Sequence, residues 1–449
     1  MAAGLFMLTG GAGPGSGGPT SRPQASGLAG ASAGSPAGPS GAPATERPSP
    51  SPTPEPTPTT TPGAPAAVVL SPALAARMQK SLEHFATANR LPGASVTITW
   101  ADGRTWTGTT GFADVEAGRP MSADTIFAIA SMSKTFTAAL ILGLVDDGKL
   151  SLDTKVAAIL PNVRLGTPAR AIPPAVTVRM LLDHTSGLAD YFFGQGIDKA
   201  LMANRGATWT AEQALAYVGK AVGKPGSSWH YSNTNYVLLG LVAEKTGGAP
   251  FAELVRDRLL DPLGLSHSYV QGVEKARGPL SLGYYYNRPG TTARPINLAD
   301  ASRTIVPFTS VVTAAGSAGN VAATSADLAA WARALYGGKV LRPETLSLAV
   351  GDSKLTKPYR PFVPYGLGVQ VTRIDGHRAY GHSGRFIGVR GELRYLPTAG
   401  LAIAILTNQN GVDVRPLTAK LVSLALPKAV VPAPASPLPA SPAPASAAP

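Results

Sequence analysis

The chain has 449 residues, 44% of them hydrophobic and 14% charged, with 50 glycines, 42 prolines and a net charge of +13. With no cysteine in the chain as given, no disulfide, thiolate zinc site, cysteine nucleophile or cysteine-linked lipid anchor is expected within it. The positive charge is spread over single Lys and Arg residues rather than gathered in a stripe with aromatics. This argues against nucleic acid; a solvated basic surface is the favoured reading, and attraction to an anionic envelope polymer or membrane surface is the alternative.

Residues 1–66 are Gly, Ala, Ser, Thr and Pro with few charges, and include "RPSPSPTPEPTPTTTPGAP". Such a stretch buries too little apolar surface to offset its ordering entropy, so a disordered leader and spacer is expected. Residues 428–449 read the same way, as a Pro/Ala-rich tail, which leaves 67–427 as the globular domain. No apolar run approaches the roughly 18 residues of a membrane span. The apolar "GLFML" near the start lacks a basic flank and makes a weak export signal. A Thr/Pro spacer beside a globular domain still suits a secreted or envelope protein, whose true start and signal peptide could lie upstream.

The globular part opens with a helix in "LSPALAARMQKSLEHFATANR", with Ser71 at the N-cap and Pro72 in the first turn. Two strands follow, "GASVTITW" and "TWTGTTGFAD", joined by the turn "ADGR". Residues 134–146 are apolar nearly all round, which predicts a buried helix, and Gly148 suits its C′ position. Another buried helix starts at Asn233. Near the end, strands alternate with turns at Asp375-Gly376 and Thr398-Ala399-Gly400, and "VRPLTAKLVSLAL" closes the domain as a helix. Strands at both ends with helices between predict an α/β (α+β) fold. One antiparallel sheet would be built from both termini, with a mostly helical lobe inserted.

A serine hydroxyl needs a neighbouring base to become a nucleophile. Within "IASMSKTFTA", helical phase brings Lys134 to Ser131, three residues away, and not to the adjacent Ser133. Ser131–Lys134 is the only Ser-x-x-Lys in the chain. At the start of a buried helix, its serine would sit where unpaired N–H groups favour developing negative charge. A Tyr-x-Asn occurs twice. Tyr231-Ser232-Asn233, just ahead of a buried helix, is preferred over Tyr285-Tyr286-Asn287 in a Gly/Pro-bounded loop. A Lys-Thr-Gly at Lys245–Gly247 ends a helix, where Lys and Gly are ordinary capping residues. His382-Ser383-Gly384 begins a strand instead, and Gly384 leaves that strand edge open to a ligand. The nucleophile-elbow match Gly30–Gly34 lies in the leader and lacks the strand–turn–helix setting. The histidines do not cluster at ligand spacing, so neither metal nor other cofactor is expected.

With these three elements in order, the chain resembles the penicillin-recognising serine hydrolases. It is nearest the class C β-lactamase-related branch of D-alanyl-D-alanine carboxypeptidases, β-lactamases and serine esterases. "LLDHTSGL", "YSNTNYVLLG", "DPLGL", "AAGSAGNVAATSADLAAW" and "YGLGVQV" extend the likeness over roughly residues 75 to 426. The resemblance implies a β-lactamase/transpeptidase-like fold and an acyl-enzyme on Ser131, with Lys134 taking its proton and Tyr231 as second acid/base. It implies that Asn233 orients the substrate amide, that His382 makes the cleft electropositive and that Ser383 binds the substrate carboxylate. It also implies an oxyanion hole from the N–H groups of Ser131 and Arg385, each donor worth roughly 10²–10³ in rate. Histidine stands where the third motif usually has lysine, which weighs against strong β-lactamase activity. Arg373, Arg385 and Arg390 are the candidate partners for a substrate carboxylate. The expected substrate is a small molecule or peptidoglycan peptide, with β-lactams as covalent ligands, and the expected state is a monomer. A non-catalytic penicillin- or peptidoglycan-binding protein is the alternative of another class.

Overall fold

The computed structural model describes residues 70–285, 296–297, 304–351 and 364–426. The leader, the tail, the Gly30–Gly34 match, and Tyr286 and Asn287 of the second Tyr-x-Asn lie outside these residues. Among the described residues, no helix is long and apolar enough to cross a membrane.

The first helix, α1, spans Pro72–Ala88 with Pro72 in its first turn, but the Ser71 side chain makes no capping hydrogen bond. Strands β1 (Gly93–Thr99) and β2 (Thr105–Asp114) form the expected hairpin. Its turn closes by the Trp100 N–H donating to the Arg104 carbonyl, with Gly103 at φ +90°. A two-residue strand, β3 (Arg119–Pro120), pairs outside β2. The other strands come from the far end of the chain: β4 (Gln370–Ile374), β5 (His377–Phe386), β6 (Val389–Leu396) and β7 (Leu401–Thr407). The seven-stranded sheet runs β4-β5-β6-β7-β1-β2-β3, antiparallel throughout, so β1 joins the two ends of the chain by pairing with β7.

Both faces of this sheet are covered, and side-chain alternation shows how. On β7, Leu401, Ile403 and Ile405 pack with Met78 and Leu82 of α1 and with Leu417, Leu421 and Val422 of the closing helix, α5 (Arg415–Ala425). Ala402, Ala404 and Leu406 face the other way, into the core of the helical lobe. That lobe contains α2 (Ser133–Asp146), α3 (Asn233–Gly247) and α4 (Ser325–Tyr336). Helix α2 is buried on nearly every side, and Phe136 stacks on Trp331 of α4 with ring centroids 4.1 Å apart. It ends as the sequence predicts, with Gly148 at φ +71° and the Lys149 N–H returning to the Leu144 carbonyl. At the end of α3 the left-handed residue is Gly248 rather than Gly247, one position later than the sequence suggests. The Lys245–Gly247 triplet is thus the last turn of a helix and forms no part of a strand.

Candidate active site

Ser131 does not belong to α2 itself. It occupies the single 3₁₀ turn Ala130–Met132 that leads into that helix. Ala130, the residue before it, holds φ at +49°, a left-handed conformation that costs a non-glycine residue on the order of 1 kcal/mol or more. The strained turn sets the serine ahead of the α2 N-terminus, where the amide dipoles favour developing negative charge.

Lys134, in the first turn of α2, is fully buried. Its Nζ donates to the side-chain oxygen of Asn233 at 2.7 Å and to the carbonyl of Ala318 at 2.7 Å, and lies 3.2 Å from the Ser131 Oγ. The first two partners can only accept, so they fix two N–H bonds of the amine. The third direction, toward Ser131, therefore carries either the ammonium's last proton or the lone pair of the neutral amine. Burial lowers the Lys134 pKa from 10.5 to about 7, while the charge of Asp190 pulls the other way. Near neutral pH both protonation states are populated, as proton exchange with Ser131 requires.

Asn233 uses both ends of its amide. Its oxygen receives Lys134, and its Nδ2 donates to the Asp190 carboxylate at 2.7 Å. Asp190 is buried, which raises its pKa, and its other oxygen accepts the Phe192 N–H at 3.0 Å. Tyr231 places its ring 5.1 Å from Lys134 Nζ and 6.4 Å, centroid to centroid, from the ring of His382. Ser133 turns away from this group. It is fully buried, and its hydroxyl accepts the Val321 N–H at 3.0 Å.

His382, Ser383, Gly384 and Arg385 lie on β5, where it runs past the end of β4. The His382 ring is 1% exposed; its Nδ1 donates to the Ser383 carbonyl at 2.6 Å and its Nε2 accepts from the Tyr365 hydroxyl at 2.9 Å. Burial, then the charge on Lys134, lowers its pKa to about 3. The imidazole is thus neutral, and it does not supply the positive side of the cleft that the resemblance implies. Gln370, the first residue of β4, extends the sheet with its side chain. Its oxygen accepts the Ser383 N–H at 3.1 Å and its Nε2 donates to the Ser383 Oγ at 3.2 Å. That hydroxyl therefore acts as acceptor toward Gln370 and keeps its own proton for a ligand. The buried guanidinium of Arg394, paired with Glu392 at 2.8 Å, also donates to the Gln370 oxygen, at 2.9 Å. Two residues beyond Ser383, alternation turns the Arg385 N–H to the same open side of the strand, away from β6.

Gly384 has a different reason for being glycine from the one the sequence suggests. A Cβ there would stand 2.2 Å from the carbonyl oxygen of Ile129. Its absence lets the strand close on the turn that carries Ser131, rather than merely leaving room for a ligand. Of the three arginines proposed as carboxylate partners, Arg385 is exposed on the open strand, whereas Arg373 donates to Gly376 in the hairpin turn at the far end of β4. Arg390 faces Arg385 across the β5–β6 ladder.

The structure thus brings Ser131, Lys134, Tyr231, Asn233 and His382 together, with Ser383 to Arg385 on the adjoining edge. Sequence reasoning missed Asp190, Ala318, Tyr365, Gln370 and Arg394. Asp190 left a faint trace, as a lone acid in the apolar run "SGLADYFF". A backbone carbonyl such as that of Ala318 leaves none.

Fold and site together define a serine hydrolase of the β-lactamase/transpeptidase type. The chain belongs to the beta-lactamase family, whose sequence profile matches residues 77–426, and so to the penicillin-recognising serine hydrolases. It is 30% identical over 344 residues to penicillin-binding protein 4 of Amycolatopsis lactamdurans, covering 74% of this chain and 85% of that one. It is 31% identical over 257 residues to esterase EstB of Burkholderia gladioli, covering 54% of this chain and 62% of the esterase. Among solved structures, a D-stereospecific amidohydrolase from Streptomyces sp. superposes with a TM-score of 0.65 at 30% identity, covering 76% of this chain and 97% of that one.

Proposed function

We propose that this serine hydrolase cleaves amide bonds next to D-configured residues, as a D-alanyl-D-alanine carboxypeptidase-like enzyme of the cell wall. The observation that carries the chemistry is the position of Lys134, fully buried and 3.2 Å from Ser131, where burial lowers its pKa to about 7. Neutral Lys134 accepts the Ser131 proton as Oγ attacks the acyl carbon. The N–H groups of Ser131 and Arg385 receive the developing oxyanion. The proton then passes through Lys134 and Tyr231 to the leaving amine. Tyr231 subsequently activates the water that releases the acyl group. Two supports favour a D-configured peptide: the similarity to a penicillin-binding protein and the similarity to a D-stereospecific amidohydrolase. The free proton of the Ser383 hydroxyl and the exposed Arg385 offer a donor and a cation to a terminal carboxylate. Neutral His382 contributes no charge toward a substrate carboxylate, so in either a D-Ala-D-Ala peptide or a β-lactam that group would rest on Ser383 and Arg385.

The same neutral imidazole favours a second reading, a serine esterase, because a substrate without a carboxylate loses nothing at His382. A purified domain should be assayed on a D-Ala-D-Ala peptide, its C-terminal amide, a chromogenic cephalosporin and a short-chain ester. Release of D-alanine from the free acid, well above its release of D-alaninamide from the amide, supports the carboxypeptidase reading. Ester turnover with no peptide cleavage would replace it by the esterase. The proposal includes export to the cell envelope, supported by the Pro/Thr-rich stretch ahead of the domain and the +13 charge. Fractionation of cells producing the full chain tests this.

A further inference from the structure

The segment "LLDHTSGL" contributes none of the reacting groups named above, yet its histidine lies directly behind Tyr231. His184 follows the short helix Val178–Leu182, fully buried and with φ at +63°. A left-handed conformation is uncommon for a residue other than glycine and persists only where its surroundings enforce it. Here it lets one residue reach both sides of the tyrosine. The His184 carbonyl accepts the N–H of His230 at 2.9 Å, and its ring Nδ1 accepts the N–H of Ser232 at 3.2 Å. Residues 230 and 232 are the two chain neighbours of Tyr231. Between these bonds the imidazole lies against the phenol ring, with centroids 4.4 Å apart.

A second donor fixes the ring's protonation state. The Asn235 amide also donates to Nδ1 at 3.2 Å, and the Asn235 oxygen is held by the Ser186 hydroxyl at 2.6 Å. An Nδ1 that accepts from two N–H groups carries no proton, so the ring is the neutral Nε2–H tautomer. Burial and the charge on Lys134 both favour that neutral form. Tyr231, Tyr236 and Tyr365 pack against the ring as rings, and the charge on Lys134 would repel a second cation.

We propose that His184 is a positioning residue for Tyr231: its carbonyl, Nδ1 and ring face clamp the main chain on both sides of the tyrosine and the phenol between them. The inference rests on the reading of Tyr231 as the second acid/base, and it assigns His184 no contact with substrate. Deletion of the clamp acts on turnover through Tyr231 alone.

A double-mutant cycle on the purified enzyme tests this. An activated ester is the substrate, so that residual rates of the weak variants stay measurable. Four proteins carry the test: wild type, H184F, Y231F and the double variant, each checked by circular dichroism for a cooperative melt. H184F keeps a ring but loses the acceptor, and should lower kcat at least about 30-fold while KM moves less than threefold. In the Y231F background the same change should alter kcat less than twofold. H184N supplies an oxygen where Nδ1 stands and tolerates the left-handed backbone, and should retain activity within about fivefold of wild type. If H184F does not fold, H184A serves in the same cycle. Equal losses from the His184 change in both backgrounds, or an H184N enzyme as impaired as H184F, would overturn the clamp. A Y231F enzyme as active as wild type would instead overturn the role of Tyr231.

Discussion

Tyr365 donates its hydroxyl proton to the Nε2 of His382 at 2.9 Å, and this bond decides what the third motif can do. With Nδ1 donating to the Ser383 carbonyl, both ring nitrogens are engaged in the neutral form. A protonated ring would turn Nε2 from acceptor into donor and force Tyr365 to reverse its hydroxyl. With the His382 pKa lowered to about 3, the ring should not titrate between pH 5 and 9. Nitrogen chemical shifts of labelled histidine should show one non-titrating Nδ1–H tautomer, assigned by its loss in H382N. A His382 resonance titrating near pH 6.5 would contradict this.

Acylation should instead follow Lys134. Its neutral amine is the competent base, so the rate of Ser131 acylation should rise with pH through about 7 and fall tenfold per unit below it. The Asp190 carboxylate stabilises the ammonium and holds that pKa up. Asp190→Asn should therefore shift the limb to lower pH, and stopped-flow acylation across pH 5–9 reads the shift. A limb displaced to higher pH would reverse the assigned sign.

The two serines of "SMS" should separate cleanly. Ser131→Ala should abolish covalent labelling by a fluorescent penicillin or fluorophosphonate. Ser133→Ala should retain labelling but destabilise the domain by about 1–3 kcal/mol, because the Val321 N–H loses its buried acceptor. Labelling gels and urea melts measure the two effects. Loss of labelling in Ser133→Ala alone would sink the assignment.

Gly384→Ala probes the contact between β5 and the Ser131 turn. Its methyl would meet the Ile129 carbonyl at 2.2 Å, and one of the two main chains must shift. A cost of about 1–3 kcal/mol is expected for such overpacking. A misplacement near 1 Å corresponds to roughly a 100-fold loss in acylation rate. A variant with unchanged melting and labelling rate would show that the two main chains yield without cost.

Much of the frame was legible because it rests on local chemistry. Alternation and turn residues marked β1 and β2, and Asp375 and Gly376 take the left-handed conformations of a tight hairpin turn, at φ +48° and +81°. Helix-end chemistry exposed Lys245–Gly247 as a false third motif. Helical phase selected Ser131 over Ser133, although the serine sits in a 3₁₀ turn just ahead of the helix rather than within it.

What the sequence by itself determined is therefore the order of the elements and the residue types that meet: a serine three residues before a lysine, a Tyr-x-Asn ahead of a buried helix, and a small residue on a strand. The tertiary structure alone decided their charge and orientation. Lys134 and His382 owe their shifted protonation chiefly to burial, which no spacing encodes. The Ala318 carbonyl, the Gln370 side chain and the His184 clamp act from segments 184, 13 and 48 residues away from the groups they hold. Contacts at such separations exist only once the intervening segments have folded and packed against each other.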